Sequence, residues 1–574
     1  MRSVSRFATG GKLYALVAGF YVLLAMLWTM PVWLHSDRLI GLPGDPISFA
    51  WGVAWVPYAI SHGLNPYYTA YLNAPWGANY MWPAPVVIYD LLVWPLTTLG
   101  GPILSYNSII VLGFATTGTA TFGLFLRFTS HRWTALLASA MFTFGPYMIS
   151  EAWGGHPDLL NVAGIPLMAL LLYEMLVRQK WPARLVGLAL ALVVLLQALT
   201  SEEVLASSLS LALLGALLLW WLHRGLNGRS IAYIRSALMW AVPAIPLLAS
   251  YFIYQLLAPG ALHGQNADPG RFSAPILSFF FPGGTQLFTT SAWAQTIVVL
   301  WQGKEELSSY LGIPLIAVLA WAAIRRQSRQ SVWVLLMAII SLVLVMGPSY
   351  VVGGGLSIPL PEAIVDHLPL FRDLLPMRLS VYLDLFTMLV LLVWLDQLSW
   401  RRWRLVKIAG IGLVLLAWLP VMPSTFITVS TPPAFTSSKL DQLVSPGSIV
   451  LLLPYVAGGI DDQAMLWQAE SGFEFRMPEG YWVRLSVGES GNRYGPAIDW
   501  FNKSLYEIPL DGITPSLSVK HRLRALAYFH SRHVQEVILG PSRYHARLDR
   551  YMDQLFGKPQ VVPGGIVLWR VPSN

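Results

Sequence analysis

Four short clusters in this 574-residue chain hold side chains able to move protons or bind anions. The first is Asp45, in Gly41-Leu42-Pro43-Gly44-Asp45-Pro46. A carboxylate there could act as general base on a hydroxyl. The same pattern also suits a helix start, with Asp as N-cap and Pro at the first helical position. The second cluster, Ser150-Glu151-Ala152-Trp153-Gly154-Gly155-His156-Pro157-Asp158, packs two acids and an imidazole into one connection. Either acid could assist a base or bind a cation, and His156 could donate to a phosphate. Capping of the next helix by Asp158 and simple solvation of Glu151 are the plainer uses, although a Gly-Gly kink implies that the backbone shape matters. The third cluster is Thr200-Ser201-Glu202-Glu203, where capping and the helix dipole favour a hydroxyl followed by acids. The fourth holds His367, Arg372 and Arg378 around Asp373. A guanidinium suits the oxygens of an anionic headgroup. Pairing with Asp373, or snorkelling from a helix end, would also place an arginine there.

The elements that position these clusters are apolar. Hydrophobic residues are 55% and charged residues 11% of the chain, against about 25% charged in a soluble domain, and mean hydropathy is +0.56. This is the composition of a multi-pass membrane protein. Apolar runs long enough to cross, at about 17–25 residues, lie near 13–34, 103–126, 133–150, 159–177, 185–200, 204–222, 236–257, 308–324, 331–348, 377–398 and 406–423. Basic residues fill alternate gaps: Arg127 and Arg132; Arg178, Lys180 and Arg184; Arg224, Arg229 and Arg235; Arg325, Arg326 and Arg329; and Arg401 to Lys407. Acids collect in the gaps between. Lys and Arg loops stay cytoplasmic, so eleven spans put the N-terminus inside and the C-terminus outside. All four clusters then face the outer compartment. The first span follows a basic N-terminus with no small-residue cleavage site and reads as a signal anchor.

One further run, 84–99, is interrupted by Asp90 and Pro95 and reads as interfacial or re-entrant, since counting it as a span would invert every later basic loop. Asp384 and Asp396 are further acids inside or at the edge of a span. Two outer loops are long, 35–102 and 258–307. The first carries Trp51, Trp55, Tyr58, Tyr71, Trp76, Tyr80 and Trp82, a density that suits helices lying in the headgroup layer. After Pro423 polarity is mixed. Ser448–Leu453, Val534–Leu539 and Gly565–Trp569 read as strands, and 461–470, 517–530 and 543–555 as helices. The expected organisation is a membrane domain over 1–424 and a small α/β domain over 425–574, displayed outside.

The net charge of +8 resides mainly in short cytoplasmic turns and serves topology, so nucleic acid is not a partner. With no cysteine there is neither a disulfide nor a thiolate site. No phosphate-binding Gly-rich loop, HExxH or GxSxG pattern is present. Any group transfer therefore needs a donor that arrives through the membrane.

On these residues the chain resembles the GT-C superfamily of membrane glycosyltransferases, and in Gly44–Tyr80 and His367–Tyr382 the bacterial membrane proteins related to YfhO. The resemblance covers about 1–424. It implies that a sugar passes from a polyprenyl-phosphate-linked donor to an acceptor hydroxyl, on a glycan or lipid, at the outer face of a prokaryotic-type plasma membrane. It assigns Asp45 as base, a second acid to Glu151 or Asp158, and the lipid phosphate to Arg372 and Arg378; His367, His156 and Glu202 are candidates from their own clusters. Some members use a divalent cation, Mg or Mn, held by acidic pairs; Gly-Asp-Pro here lacks the second acid. Two other functions compete: a non-catalytic scaffold with an exported partner-binding domain, and a lipid transporter or flippase. Against transport, the sequence shows no inverted repeat and no paired broken helices.

Overall fold

The computed structural model describes residues 2–223, 227–262, 269–290, 292, 308–325, 328–353, 356–364, 374–397, 400–423, 426–437, 440–456, 462–485, 492–497, 499–511 and 516–572. They form two compact units, Met1–Trp33 with Ile110–Tyr251 and Gln265–Ser424, and Leu34–Ile109 with Phe252–Gly264 and Thr425–Asn574.

The first unit is built of helices wherever the sequence offers long Leu, Ala and Val runs. Helices Arg2–Trp28, Arg132–Thr143, Ala183–Ala198, Glu202–His223, Ile313–Ile324, Arg329–Val345, Ser380–Gln397 and Trp400–Trp418 fall on the apolar runs. Five helical segments are long and apolar enough to cross a membrane, or six if the bent pair Gly228–Ala241 and Ala244–Leu257 counts as one span. The remaining runs fold as shorter or broken helices. The run 133–150 is interrupted at Gly145-Pro146, where Pro starts a second helix, Pro146–Gly154. Close packing relies on small residues: a Cβ on Gly187 would lie 2.1 Å from the carbonyl oxygen of Ala237, and the Tyr21 hydroxyl meets Ser139 Oγ at 2.6 Å.

The second unit centres on a four-stranded sheet. Its strands, in order Gln560–Val562, Ile566–Arg570, Val534–Leu539 and Ile449–Leu453, are antiparallel except for the parallel last pair. Helices Trp500–Asp511, Val519–Ser531 and His545–Phe556 supply Leu505, Phe529 and Tyr551 to the core over it. Ile449–Leu453, Val534–Leu539, Ile566–Arg570, Val519–Ser531 and His545–Phe556 lie on the stretches read from the sequence, while strand Gln560–Val562 and helix Trp500–Asp511 are not announced there. Ala74 of the first long loop joins the same core, and Arg38–Ile40 pairs antiparallel with Phe426–Thr428. Asn107 reads both edges of that strand, accepting from Ile40 N at 3.1 Å and donating to Arg38 O at 2.8 Å.

One expectation is corrected here. Trp51 and Trp55 are fully buried, stacked at 5.5 Å, and packed against Phe473. Trp51 Nε1 donates to Gln468 Oε1 at 2.9 Å. These rings are the unit's own core rather than a headgroup-level surface, because the chain supplies apolar partners and an acceptor for the indole N–H. The run 84–99 becomes the six-residue helix Val87–Leu92, about 9 Å long, and the first turns of Trp94–Phe125, which breaks at Gly101 (φ 79°). Asp90 is buried on the short helix, and burial pushes its carboxyl well above the ordinary carboxylate range.

Candidate active site

In the first unit, ionisable side chains converge from three stretches of sequence. Gly155, at φ 82°, ends the Pro146–Gly154 helix in the left-handed conformation that glycine tolerates best. The chain therefore turns back on itself, and His156 Nδ1 lies 2.8 Å from Glu151 Oε2. Glu151 is 1% exposed, and its Oε1 has no hydrogen-bond partner among the described residues. Asp158, also buried, lies within electrostatic range of His156, Arg378, Glu203 and Glu151. Tyr147 on the same helix donates from its hydroxyl to Leu159 O at 3.0 Å, and its N–H donates to Asp384 Oδ2 at 3.1 Å.

The Glu202–His223 helix starts as its sequence suggests, with Val204 N–H donating to Ser201 Oγ at 3.4 Å. Its two acids, however, do more than favour the dipole. Glu203 pairs with Arg378, and Glu202 accepts from the Tyr251 hydroxyl at 2.6 Å. One turn further on, Ser207 Oγ and Ser208 Oγ each lie 2.8 Å from the Tyr382 hydroxyl.

A groove begins at Ser208 and Tyr382 and runs between helices, lined by Leu211, Gly215, Leu219, Ile165, Leu172, Leu385 and Leu389 among others. At 1.5 Å per residue, Ser208 to Leu219 gives it a length of about 16 Å. Its walls are almost wholly apolar, while the side chains at its Ser208 end lie next to Glu203 and Arg378. The arrangement suits an amphiphile with an anionic head and an apolar tail.

Asp45 belongs to the second unit. Gly44, not Asp45, occupies the N-cap position of helix Asp45–Ser61, and no side chain caps it. Asp45 Oδ1 instead accepts from the Tyr481 hydroxyl at 2.5 Å. Tyr481 stacks on Tyr494 at 4.9 Å and 13°. Burial first, then the charges of Asp45, Tyr494 and Asp462, push the Tyr481 phenol up, so it stays protonated as a donor.

The structure thus brings together Glu151, His156, Asp158 and Arg378, adds Glu203, and places Glu202 beside them in sequence with its own partner. His367 and Arg372 lie outside the described residues. Sequence reasoning named Glu203 in the third cluster without giving it a role, and passed over Tyr382 and Tyr481. Glu203 had a complete local explanation, and nothing in the sequence links Tyr481 to a residue 436 positions away. Among the described residues no three His, Asp or Glu side chains converge to hold a metal ion. The divalent cation allowed by the resemblance therefore lacks a ligand set there, and no step is assigned to it.

No family profile matches the chain, and no curated protein matches it. Among solved structures, the arabinofuranosyltransferase AftD from Mycobacteria superposes at TM-score 0.55 with 14% identity, over 98% of this chain and 40% of that one. The chain has a GT-C fold. It spans about two-fifths of that transferase's length. ArnT from Cupriavidus metallidurans, bound to undecaprenyl phosphate, matches over 98% of both chains with 11% identity and TM-score 0.43. AglB from Archaeoglobus fulgidus, in complex with an inhibitory peptide and a dolichol-phosphate, matches over 92% of this chain and 69% of its own with 11% identity and TM-score 0.42. At those TM-scores neither adds to the GT-C assignment.

Proposed function

We propose that this chain transfers a sugar from a polyprenyl-phosphate-linked donor to an acceptor hydroxyl at the outer face of the membrane, in assembly of a cell-envelope glycan or glycolipid. The observation that carries the reading is the apolar groove whose Ser208 end adjoins Glu203 and Arg378. The polyprenyl chain lies in the groove, and the Arg378 guanidinium grips the phosphate. Asp45 takes the proton of the acceptor hydroxyl. The acceptor oxygen bonds to the anomeric carbon as the carbon–oxygen bond to the lipid phosphate breaks, and the electron pair leaves on the phosphate, stabilised by Arg378. A single displacement of this kind inverts the anomeric centre. Glu151 holds the His156 ring so that the imidazole can donate to a phosphate oxygen, and Asp158 and Glu202 shape the anionic rim. Arg372 is assigned to the lipid phosphate by the resemblance alone, and His367 by its own cluster in the sequence. Eleven spans, with the N-terminus inside and 425–574 outside, put these groups on one side of the membrane.

The test is transfer by the protein purified into nanodiscs, with a panel of labelled polyprenyl-phosphate sugars. Asp45→Asn should lower kcat by roughly 10²–10⁴-fold while the folded yield is unchanged. Full transfer by that variant would refute the assignment of the base. Binding of the lipid without transfer to any acceptor, accompanied by movement of the lipid between leaflets, would replace the transferase with a flippase.

A further inference from the structure

The geometry points to Tyr481 as a positioning residue for the Asp45 carboxylate, which makes the C-terminal region part of the catalytic apparatus and not only an exported appendage. The inference rests on the reading of Asp45 as the base. It goes beyond that reading because neither the sequence pattern around Asp45 nor the fold implicates any residue after 424.

Three observations carry it. The Tyr481 hydroxyl reaches Asp45 Oδ1 at 2.5 Å, the short distance of a hydrogen bond onto an ionised oxygen. A helix start needs no such donor: Asp45 sits one residue inside the helix, the cap is a glycine, and Pro46 follows. The segment bearing Tyr481 is also held in place on purpose-built contacts. Glu479 Oε1 accepts from Leu452 N–H at 2.7 Å, and Met477 O accepts from Ala74 N–H at 2.8 Å. Gly480, at φ 140°, lets the backbone pass so close to Leu72 that a Cβ would sit 2.8 Å from its side chain. Stacking on Tyr494 fixes the plane of the phenol ring. A hydroxyl on so constrained a ring dictates where the carboxylate lies. It also favours the ionised form, the form a base needs.

Among the described residues, the groups facing the Tyr481 hydroxyl are Asp45 on the Asp45–Ser61 helix, Tyr494 on strand Asn492–Tyr494, and the charge of Asp462 just before helix Gln463–Glu470. Loss of the phenol's proton donation leaves the Asp45 carboxylate with one stabilising partner fewer. The carboxylate then takes up a proton more readily, and the acid limb of the pH–rate profile moves to higher pH.

The experiment is the pH dependence of kcat/KM for the full chain in nanodiscs, comparing wild type, Tyr481→Phe and Asp45→Asn. Phe keeps the stacked ring and removes only the donor. Tyr481→Phe should move the acid limb up by roughly 1–2 pH units, the worth of one hydrogen bond to a charged group. Activity above the limb should fall as well, because the carboxylate loses the donor that orients it. A uniform loss at every pH with the limb in place would overturn the inference and assign Tyr481 a structural role. If Tyr481→Phe yields no folded protein, 3-fluorotyrosine at position 481 provides the second reading. Its more acidic hydroxyl is a stronger donor and should move the limb down; an unmoved limb overturns the inference. Transfer that survives Asp45→Asn overturns the base assignment instead, so the two failures are distinguishable.

Discussion

Glu479→Gln tests whether a buried neutral carboxyl anchors the segment that carries Tyr481. Glu479 is fully buried, its Oε1 takes the Leu452 N–H, and Oε2 has no hydrogen-bond partner among the described residues. Burial, moderated by the backbone donors and by the Arg532 guanidinium, pushes the carboxyl up to about 8 from an ordinary 4.5. Below pH 4.5 the side chain is protonated in both the folded and the unfolded chain, and its contribution is complete. Between pH 4.5 and about 8 the unfolded chain releases a proton that the folded chain keeps. Stability then falls with rising pH by about 1.4 kcal/mol per pH unit. The loss is about 3 kcal/mol at pH 7 and levels off near about 5 kcal/mol above pH 8, where both states are ionised. Gln keeps an acceptor oxygen for Leu452 and does not titrate. Its extra N–H groups lack partners and cost about 1–3 kcal/mol, but that offset is the same at every pH. The readout is therefore the slope. In thermal unfolding followed by tryptophan fluorescence, Tm of the variant minus Tm of wild type should rise by roughly 5–10 °C between pH 5 and pH 7. Parallel curves across that range would refute the reasoning and require the carboxyl to be ionised in the fold.

The other predictions concern the first unit. Arg378→Ala should raise the KM for the lipid donor by at least about tenfold, the value of one charge-assisted contact, and leave the KM for acceptor nearly unchanged; equal effects on both would remove Arg378 from the phosphate. Ala212→Trp projects an indole into the groove and should abolish donor binding, measured by photo-crosslinking of a polyprenyl probe, with little change in Tm. Retained crosslinking would mean that the lipid lies elsewhere. Gly187→Ala drives a methyl against the Ala237 carbonyl, which is backbone and cannot rotate away. Destabilisation by about 1–3 kcal/mol is expected, seen as a lower Tm, and an unchanged Tm would mean that the two helices do not pack this closely.

Much of this protein is local and therefore legible in its residues. Helices fall on the apolar runs, and Ile449–Leu453, Val534–Leu539 and Ile566–Arg570 are strands because short, continuous apolar stretches mark strands buried on both faces. Glu151, His156 and Asp158 share one turn, so their proximity follows from a Gly-Gly kink. Local explanation was also what misled. Glu203 satisfied the rules of a first helical turn, and the tryptophans of 51–55 satisfied those of a membrane surface. Only tertiary structure gave Glu203 its partner Arg378, 175 residues away, and Asp45 its donor Tyr481, 436 residues away. Such pairings depend on which faces the packed elements turn toward each other. No periodicity or cap encodes that choice, because it is made by burial of the whole chain at once.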